Sequence, residues 1–92
     1  MTKNKTEIAA LAMDLKRIAL GYYGGSSQTA KRFTQEALKR KEKIEARYEA
    51  EYINKILKTL PKTLNQKDKK RLAEDALMYS TIFQNYALHN SS

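Results

Sequence analysis

Residues 28–60 read QTAKRFTQEALKRKEKIEARYEAEYINKILKTL, without a single glycine or proline. Helix-breaking residues lie on both sides, with Gly24-Gly25-Ser26-Ser27 before the stretch and Pro61 after it. Because nothing inside the stretch interrupts a helix, it predicts one central helix about 50 Å long at 1.5 Å per residue. A compact globule of 92 residues is only about 32 Å across. A rod of that length protrudes, breaks, or is covered by another chain.

The apolar residues of this stretch do not form one straight stripe. At 100° per residue, one narrow arc holds the early set Ala30, Phe33, Ala37, Ile44 and Tyr48. The later set lies a quarter turn or more away and comprises Tyr52, Ile53, Ile56 and Leu60. We therefore expect the early half to pack against a preceding helix and the late half against a following one.

Amphipathic helices are predicted on both sides of the central one. In residues 6–23, apolar side chains recur at spacings of 3, 4, 3 and 4, namely Ile8, Leu11, Leu15, Ile18 and Tyr22. In residues 65–88, the spacings are 4, 3, 4 and 3 for Leu72, Ala76, Tyr79, Phe83 and Tyr86. Thr6 and Asn65 are the expected N-caps, with Thr63 as the alternative to Asn65.

The fold prediction is all-α: an elongated three-helix bundle or helical hairpin with helices at 6–23, 28–60 and 65–88. Residues 1–92 are expected to form one domain, with frayed tails at 1–5 and 89–92. The last helix is apolar over a broad arc, and the central helix exceeds a compact monomer. We therefore expect a homodimer to complete the bundle.

Composition argues against several kinds of chemistry. Cysteine is absent, and the only histidine, His89, lies near the end of the sequence. The acidic residues Glu42, Glu45 and Glu49 share an arc but read as a solvated stripe, because a hard cation needs oxygen ligands from more than one element. We expect no enzyme activity, no metal and no cofactor.

Hydropathy argues against a membrane. No stretch approaches the roughly 20 apolar residues of a membrane span. The apolar run from Ile8 to Met13 is interrupted by Asp14 and is shorter than the core of a signal peptide. We expect a cytoplasmic protein.

The net charge of +8 favours an acidic protein or a nucleic acid as partner. The candidates for anion or nucleic-acid contact are Arg32, Lys39, Arg40, Lys43, Arg47, Lys69 and Lys70. Replacing Lys39, Arg40 and Lys43 by glutamate is expected to abolish such binding without unfolding the protein. No base-reading motif accompanies these residues, so the predicted binding is largely nonspecific.

The sequence contains six tyrosines and no tryptophan. Tyrosine combines an apolar ring with a polar hydroxyl, and it suits both contact surfaces and core edges. The candidate interface residues are Tyr48, Tyr52, Ile56, Tyr79, Ile82, Phe83 and Tyr86. The resulting hypothesis is a helical interaction, adaptor or regulatory module that acts as a homodimer and also contacts an acidic protein. The alternative is an accessory nucleic-acid-binding protein.

Overall fold

The computed structural model describes residues 3–89, and their regular structure is entirely helical. The helices are α1 (Lys3–Tyr23), α2 (Ser27–Glu42), α3 (Glu51–Leu64) and α4 (Lys69–His89), with a short 3₁₀ turn at Ala46–Tyr48. No strand occurs within the described part of the chain, so the all-α prediction is confirmed. Of the predicted frayed tails, residues 1, 2 and 90–92 lie outside the described residues.

The prediction of one continuous central helix is wrong. It is divided into α2 and α3 by residues 43–50, which we call the elbow. The described chain measures 38 × 19 × 19 Å, with a radius of gyration of 12.4 Å. A straight helix of about 50 Å would extend beyond this volume. The break lets both halves pack alongside the other helices of the same chain.

Three predicted helix boundaries are also wrong. Because α1 already begins at Lys3, Thr6 lies inside the helix rather than at its N-cap. Pro61 lies inside α3, which continues to Leu64 because buried leucines on both sides of the proline keep that turn packed. Asn65 is the C-cap of α3, and it is Asp68 that accepts a hydrogen bond of 3.1 Å from the Arg71 amide at the start of α4.

Helix α1 makes the main contacts between helices, with α4 on one side and α2 on the other. The buried Ser80 hydroxyl on α4 donates a hydrogen bond of 2.7 Å to the Ala12 carbonyl on α1, which fixes the register of these two helices. Gly21 on α1 lies against Ala30 on α2: a Cβ at Gly21 would come within 3.0 Å of the Ala30 amide nitrogen. The structure thus places α1 between α2 and α4.

All four helices contribute to one hydrophobic core. In α3 the buried positions are Ile53, Leu57, Leu60 and Leu64, at spacings of 4, 3 and 4. The elbow contributes Ile44, which is 8% exposed. Their own chain buries most apolar residues of the central segment, namely Ala30, Ala37, Ile44, Ile53 and Leu60. The predicted dimer therefore loses the support of an uncovered central rod.

Candidate interaction surface

The side of the bundle formed by α1 and α4, away from their buried stripes, carries exposed apolar residues. Four positions on each helix face outward at spacings of 4, 3 and 4. We call these residues the outer face: Ala9, Met13, Lys16, Leu20, Leu77, Thr81, Gln84 and Leu88. Met13, Leu20, Leu77 and Leu88 are 45, 57, 39 and 65% exposed. The outer face is therefore a two-helix surface with unsheltered apolar side chains.

A groove runs between the two helices at one end of the outer face. Its volume is about 370 Å³, and Ala9, Met13, Ala87 and Leu88 form its apolar lining. Lys5, Thr6 and Gln84 complete the lining. An apolar groove with a few polar groups at its edge is the shape that receives an amphipathic helix in many complexes.

The charge around the outer face is mostly positive. Lys16 is its one charged member, and Lys5 and Lys70 lie at its edges on the same helices. Glu74 of α4 lies at the edge near Lys70 and is the acid that opposes this charge. The acids on α1, Glu7 and Asp14, are buried on the opposite side.

The predicted interface residues are distributed differently from the expectation. Tyr48 and Tyr52 are exposed, at 66 and 54%. Partly buried positions that pack against the core are Ile56, Tyr79 and Ile82. Phe83 is fully buried and Tyr86 is 8% exposed, so both present little or no surface to a partner. The predicted stripe of the last helix is largely core.

Arg40 has a structural role that the sequence did not indicate. Its Nε lies 2.9 Å from an Asp14 oxygen, and its Nη1 lies 2.9 Å from a Glu7 oxygen, so it bridges two acids of α1 from α2. The hydrogen bond to Asp14 is the largest factor that raises the pKa of Arg40, with burial acting in the opposite direction. Charge reversal at Arg40 would put three acids together, and we therefore expect the triple substitution to destabilise the fold as well.

The remaining predicted basic contacts do not form one strip. Arg32, Lys39 and Lys43 remain exposed on the outward side of α2 and at its C-cap. Arg47 lies in the elbow, 3.4 Å from Glu45 and with its guanidinium 4.8 Å from the centre of the Tyr48 ring. At the start of α4, Lys70 is exposed, and Lys69 places its ammonium 5.6 Å from the Tyr22 ring centre.

Two side chains from distant parts of the chain hold the elbow. Asn4 donates to the Glu45 carbonyl at 2.8 Å and accepts from the Glu45 amide at 3.0 Å. The Tyr86 hydroxyl accepts from the Ala50 amide at 3.0 Å and donates to the Glu49 carboxylate at 2.8 Å. Burial raises the pKa of Tyr86, and the Glu49 carboxylate acts in the same direction, so this hydroxyl keeps its proton.

No metal-binding group of three or more His, Cys, Asp or Glu side chains occurs within residues 3–89. The predicted acidic arc is divided because α2 ends at Glu42, and Glu49 instead accepts from Asn4 and Tyr86. His89 is exposed at the end of α4. Among the helices of the described chain, none has the length and apolar character needed to cross a bilayer.

Comparison with known proteins finds no matching family model, curated protein or solved structure. The outer face is therefore identified as a candidate interaction surface from its geometry alone. The sequence does not reveal the outer face directly, because α1 and α4 each carry a stronger apolar stripe that forms the core. Its signal is a weaker second periodicity: Met13 and Leu20 lie seven residues apart, and Leu77 and Leu88 eleven apart, outside those stripes.

Proposed function

We propose that this chain is a non-enzymatic helical interaction module that binds a partner protein on its outer face. The observation that carries the proposal is the set of exposed apolar side chains Met13, Leu20, Leu77 and Leu88 on two adjacent helices. Isolated exposed apolar residues are normal on proteins, whereas exposed apolar side chains that line a groove, as Met13 and Leu88 do, are typical of a binding site.

The partner that fits is an amphipathic helix with acidic flanks. Such a helix would place its apolar side chains in the groove beside Met13 and Leu88, at positions i, i+3, i+4 and i+7. Its acidic residues would lie against Lys5, Lys16 and Lys70, which outnumber the single acid Glu74 at this surface. A second copy of this chain would instead bring lysines against lysines. Charge therefore favours an acidic partner over self-association through the outer face.

The test uses a synthetic helical peptide as the probe, with leucines at i, i+3, i+4 and i+7 and glutamates on either side. We expect amide NMR shifts on titration to concentrate on α1 and α4 around Met13 and Leu88. A peptide with lysine in place of glutamate should bind at least tenfold more weakly. Shifts spread over the whole chain, or equal binding of both peptides, would refute the proposal.

A matched pair of variants makes the test specific. Met13→Glu puts a charge on the outer face, while Met78→Glu puts the same charge on α4 outside it. The two methionines are 45 and 50% exposed, so neither substitution disturbs the core. Met13→Glu should lose peptide binding and Met78→Glu should keep it. Light scattering on the same samples measures self-association: a dimer lost only in Met13→Glu would make a second copy the occupant.

Nucleic-acid binding is the second candidate function, and the arrangement of α3 favours it. Arg32, Lys39 and Lys43 are exposed on α2 and at its C-cap, and Lys55, Lys58 and Lys62 form a second exposed basic row on α3. About six phosphate contacts would make duplex affinity fall roughly 10³-fold between 50 and 200 mM salt. The combined variant Lys39→Glu, Lys43→Glu and Lys58→Glu should abolish binding, and Lys16→Glu should not. No binding of duplex at 50 mM salt would remove this function.

A further inference from the structure

The elbow contains none of the residues that normally end a helix. It reads KIEARYEA, without glycine or proline, and these residues are compatible with a helix. At the end of α2, the C-cap Lys43 keeps a right-handed helical conformation, with φ −84° and ψ −10°. At the start of α3, Ala50 occupies the N-cap with no side-chain hydrogen bond, and alanine is a poor N-cap. Local sequence therefore favours a continuous helix.

Contacts from other parts of the chain impose the bend. The Asn4 side chain pairs with both backbone groups of Glu45, and the Tyr86 hydroxyl accepts a hydrogen bond from the amide of Ala50, the N-cap residue of α3. The Tyr52 ring also meets the Tyr86 ring edge to face, with centres 5.8 Å apart. The bent form thus depends on α1 and α4 lying beside the elbow.

We propose that the elbow is a hinge through which two copies of this chain exchange their α3–α4 halves. In the exchanged dimer, residues 27–64 form one helix about 57 Å long at 1.5 Å per residue. The α1–α2 half of each copy then packs on the α3–α4 half of the other and re-forms the same core. Only the elbow changes conformation, which is the condition under which domain swapping has a low cost. This inference does not depend on the proposed function of the outer face.

Concentration decides which form is populated. In the monomer, the two halves are held together at an effective concentration in the millimolar range, so dilute protein stays bent. Refolding at about 1 mM protein makes exchange competitive with folding within one chain. Tyr48 is exposed at the elbow, where the two bundles of the dimer would meet.

The sharpest test is Glu51→Pro. Proline suits the first turn of a helix, and the extended conformation of Ala50, with ψ 151°, suits a residue before proline. In the middle of a continuous helix the same proline is strongly disfavoured. Glu51→Ala is the matched control, because it removes the same carboxylate and its 4.0 Å pair with Lys55 without blocking the straight helix.

The measurement is light scattering after refolding at about 1 mM, compared with refolding at one hundredth of that concentration. We expect the wild type and Glu51→Ala to yield a species of twice 10.6 kDa at the higher concentration, and Glu51→Pro to remain monomeric. Tyr86→Phe should raise the dimer fraction several-fold, because it frees the Ala50 amide and Glu49. Circular dichroism checks that Glu51→Pro folds.

If Glu51→Pro does not fold, Tyr48→Gly supplies the same comparison. Replacing tyrosine by glycine at this exposed elbow position disfavours the straight helix roughly twofold per chain. Absence of a dimer in both the wild type and Tyr86→Phe would overturn the proposal. Equal dimerisation of Glu51→Pro and Glu51→Ala would overturn it too. A dimer lost in Met13→Glu would have formed through the outer face instead and would also overturn it.

Discussion

Replacing Arg40 by methionine should destabilise the fold far more than its position in a basic run suggests. Asp14 and Glu7 lie in the α1–α2 contact with side chains 5 and 12% exposed, and Arg40 binds both at 2.9 Å. Methionine keeps much of the side-chain length but removes the cation that the two carboxylates share, and Asp14 keeps only its 3.9 Å pair with Arg17. Removing one partner of a buried ion pair costs about 3–5 kcal/mol.

The expected cost here is smaller because Arg40 is partly open to water. Its side chain is 28% exposed, so solvent screens part of the interaction. We expect a loss of about 2–3 kcal/mol in the free energy of unfolding, from a total of about 5–14 kcal/mol for a domain of this size. In urea this corresponds to a midpoint lower by about 1–2 M.

The assay is urea unfolding followed by circular dichroism at 222 nm. Lys39→Met is the matched control, since Lys39 is the exposed neighbour of Arg40 on α2, and it should change stability by less than about 0.5 kcal/mol. Adding Asp14→Asn and Glu7→Gln to Arg40→Met should recover at least half of the loss, because the unpaired charges are then gone. Equal effects of Arg40→Met and Lys39→Met would refute the assigned role of Arg40.

Two further predictions concern backbone contacts and pH. Gly21→Ala should lower the free energy of unfolding by about 1–3 kcal/mol, because the added Cβ crowds the Ala30 backbone. Gly25→Ala should lower it by about 1–2 kcal/mol through the positive φ of 80° alone. Crystal structures of the two variants should show α1 and α2 moved apart only in Gly21→Ala. The Tyr86 hydroxyl has a folded-state pKa above its ordinary 10.0, so its contribution to stability is present below about pH 10 and is lost as the pH rises past it. The stability advantage of the wild type over Tyr86→Phe should therefore shrink between pH 9 and 11, and an unchanged difference would contradict the assigned hydrogen bonds.

The sequence predicted the core positions correctly where buried residues recur at a regular helical spacing. The stripe Ile8, Leu11, Leu15 and Ile18 is fully buried on α1, and Leu72 and Phe83 are fully buried on α4. The change of apolar arc around Tyr48 correctly indicated that the two halves of the central segment have different neighbours. The same change also marked the bend, since residues 43–50 lie where one arc gives way to the other.

The functional candidates were harder to place, because exposure depends on which helix lies beside which. The sequence is compatible with Phe83 at an interface and Arg40 on a basic surface. Because α1 packs between α2 and α4, Phe83 instead lies in the core and Arg40 forms an ion pair with Asp14. In a basic run such as Lys39-Arg40-Lys41, the sequence alone does not tell which side chain is exposed to solvent and which forms an ion pair. Their roles differ only because Asp14 and Glu7 approach from 26 and 33 residues away.

Helix type and the identity of most core positions follow from short-range chemistry, because hydrophobic period, the Gly24-Gly25 turn and helix propensity act within a few residues. The conformation of the elbow does not follow from short-range chemistry, because its own sequence favours a helix. Asn4 and Tyr86 impose the bend from about forty residues away. The outer face has the same origin: Met13 and Leu88 line one groove only because α1 and α4 pack side by side. Local preferences are weak beside the burial of a shared core, and tertiary packing therefore decides where the chain bends and which side chains a partner can reach.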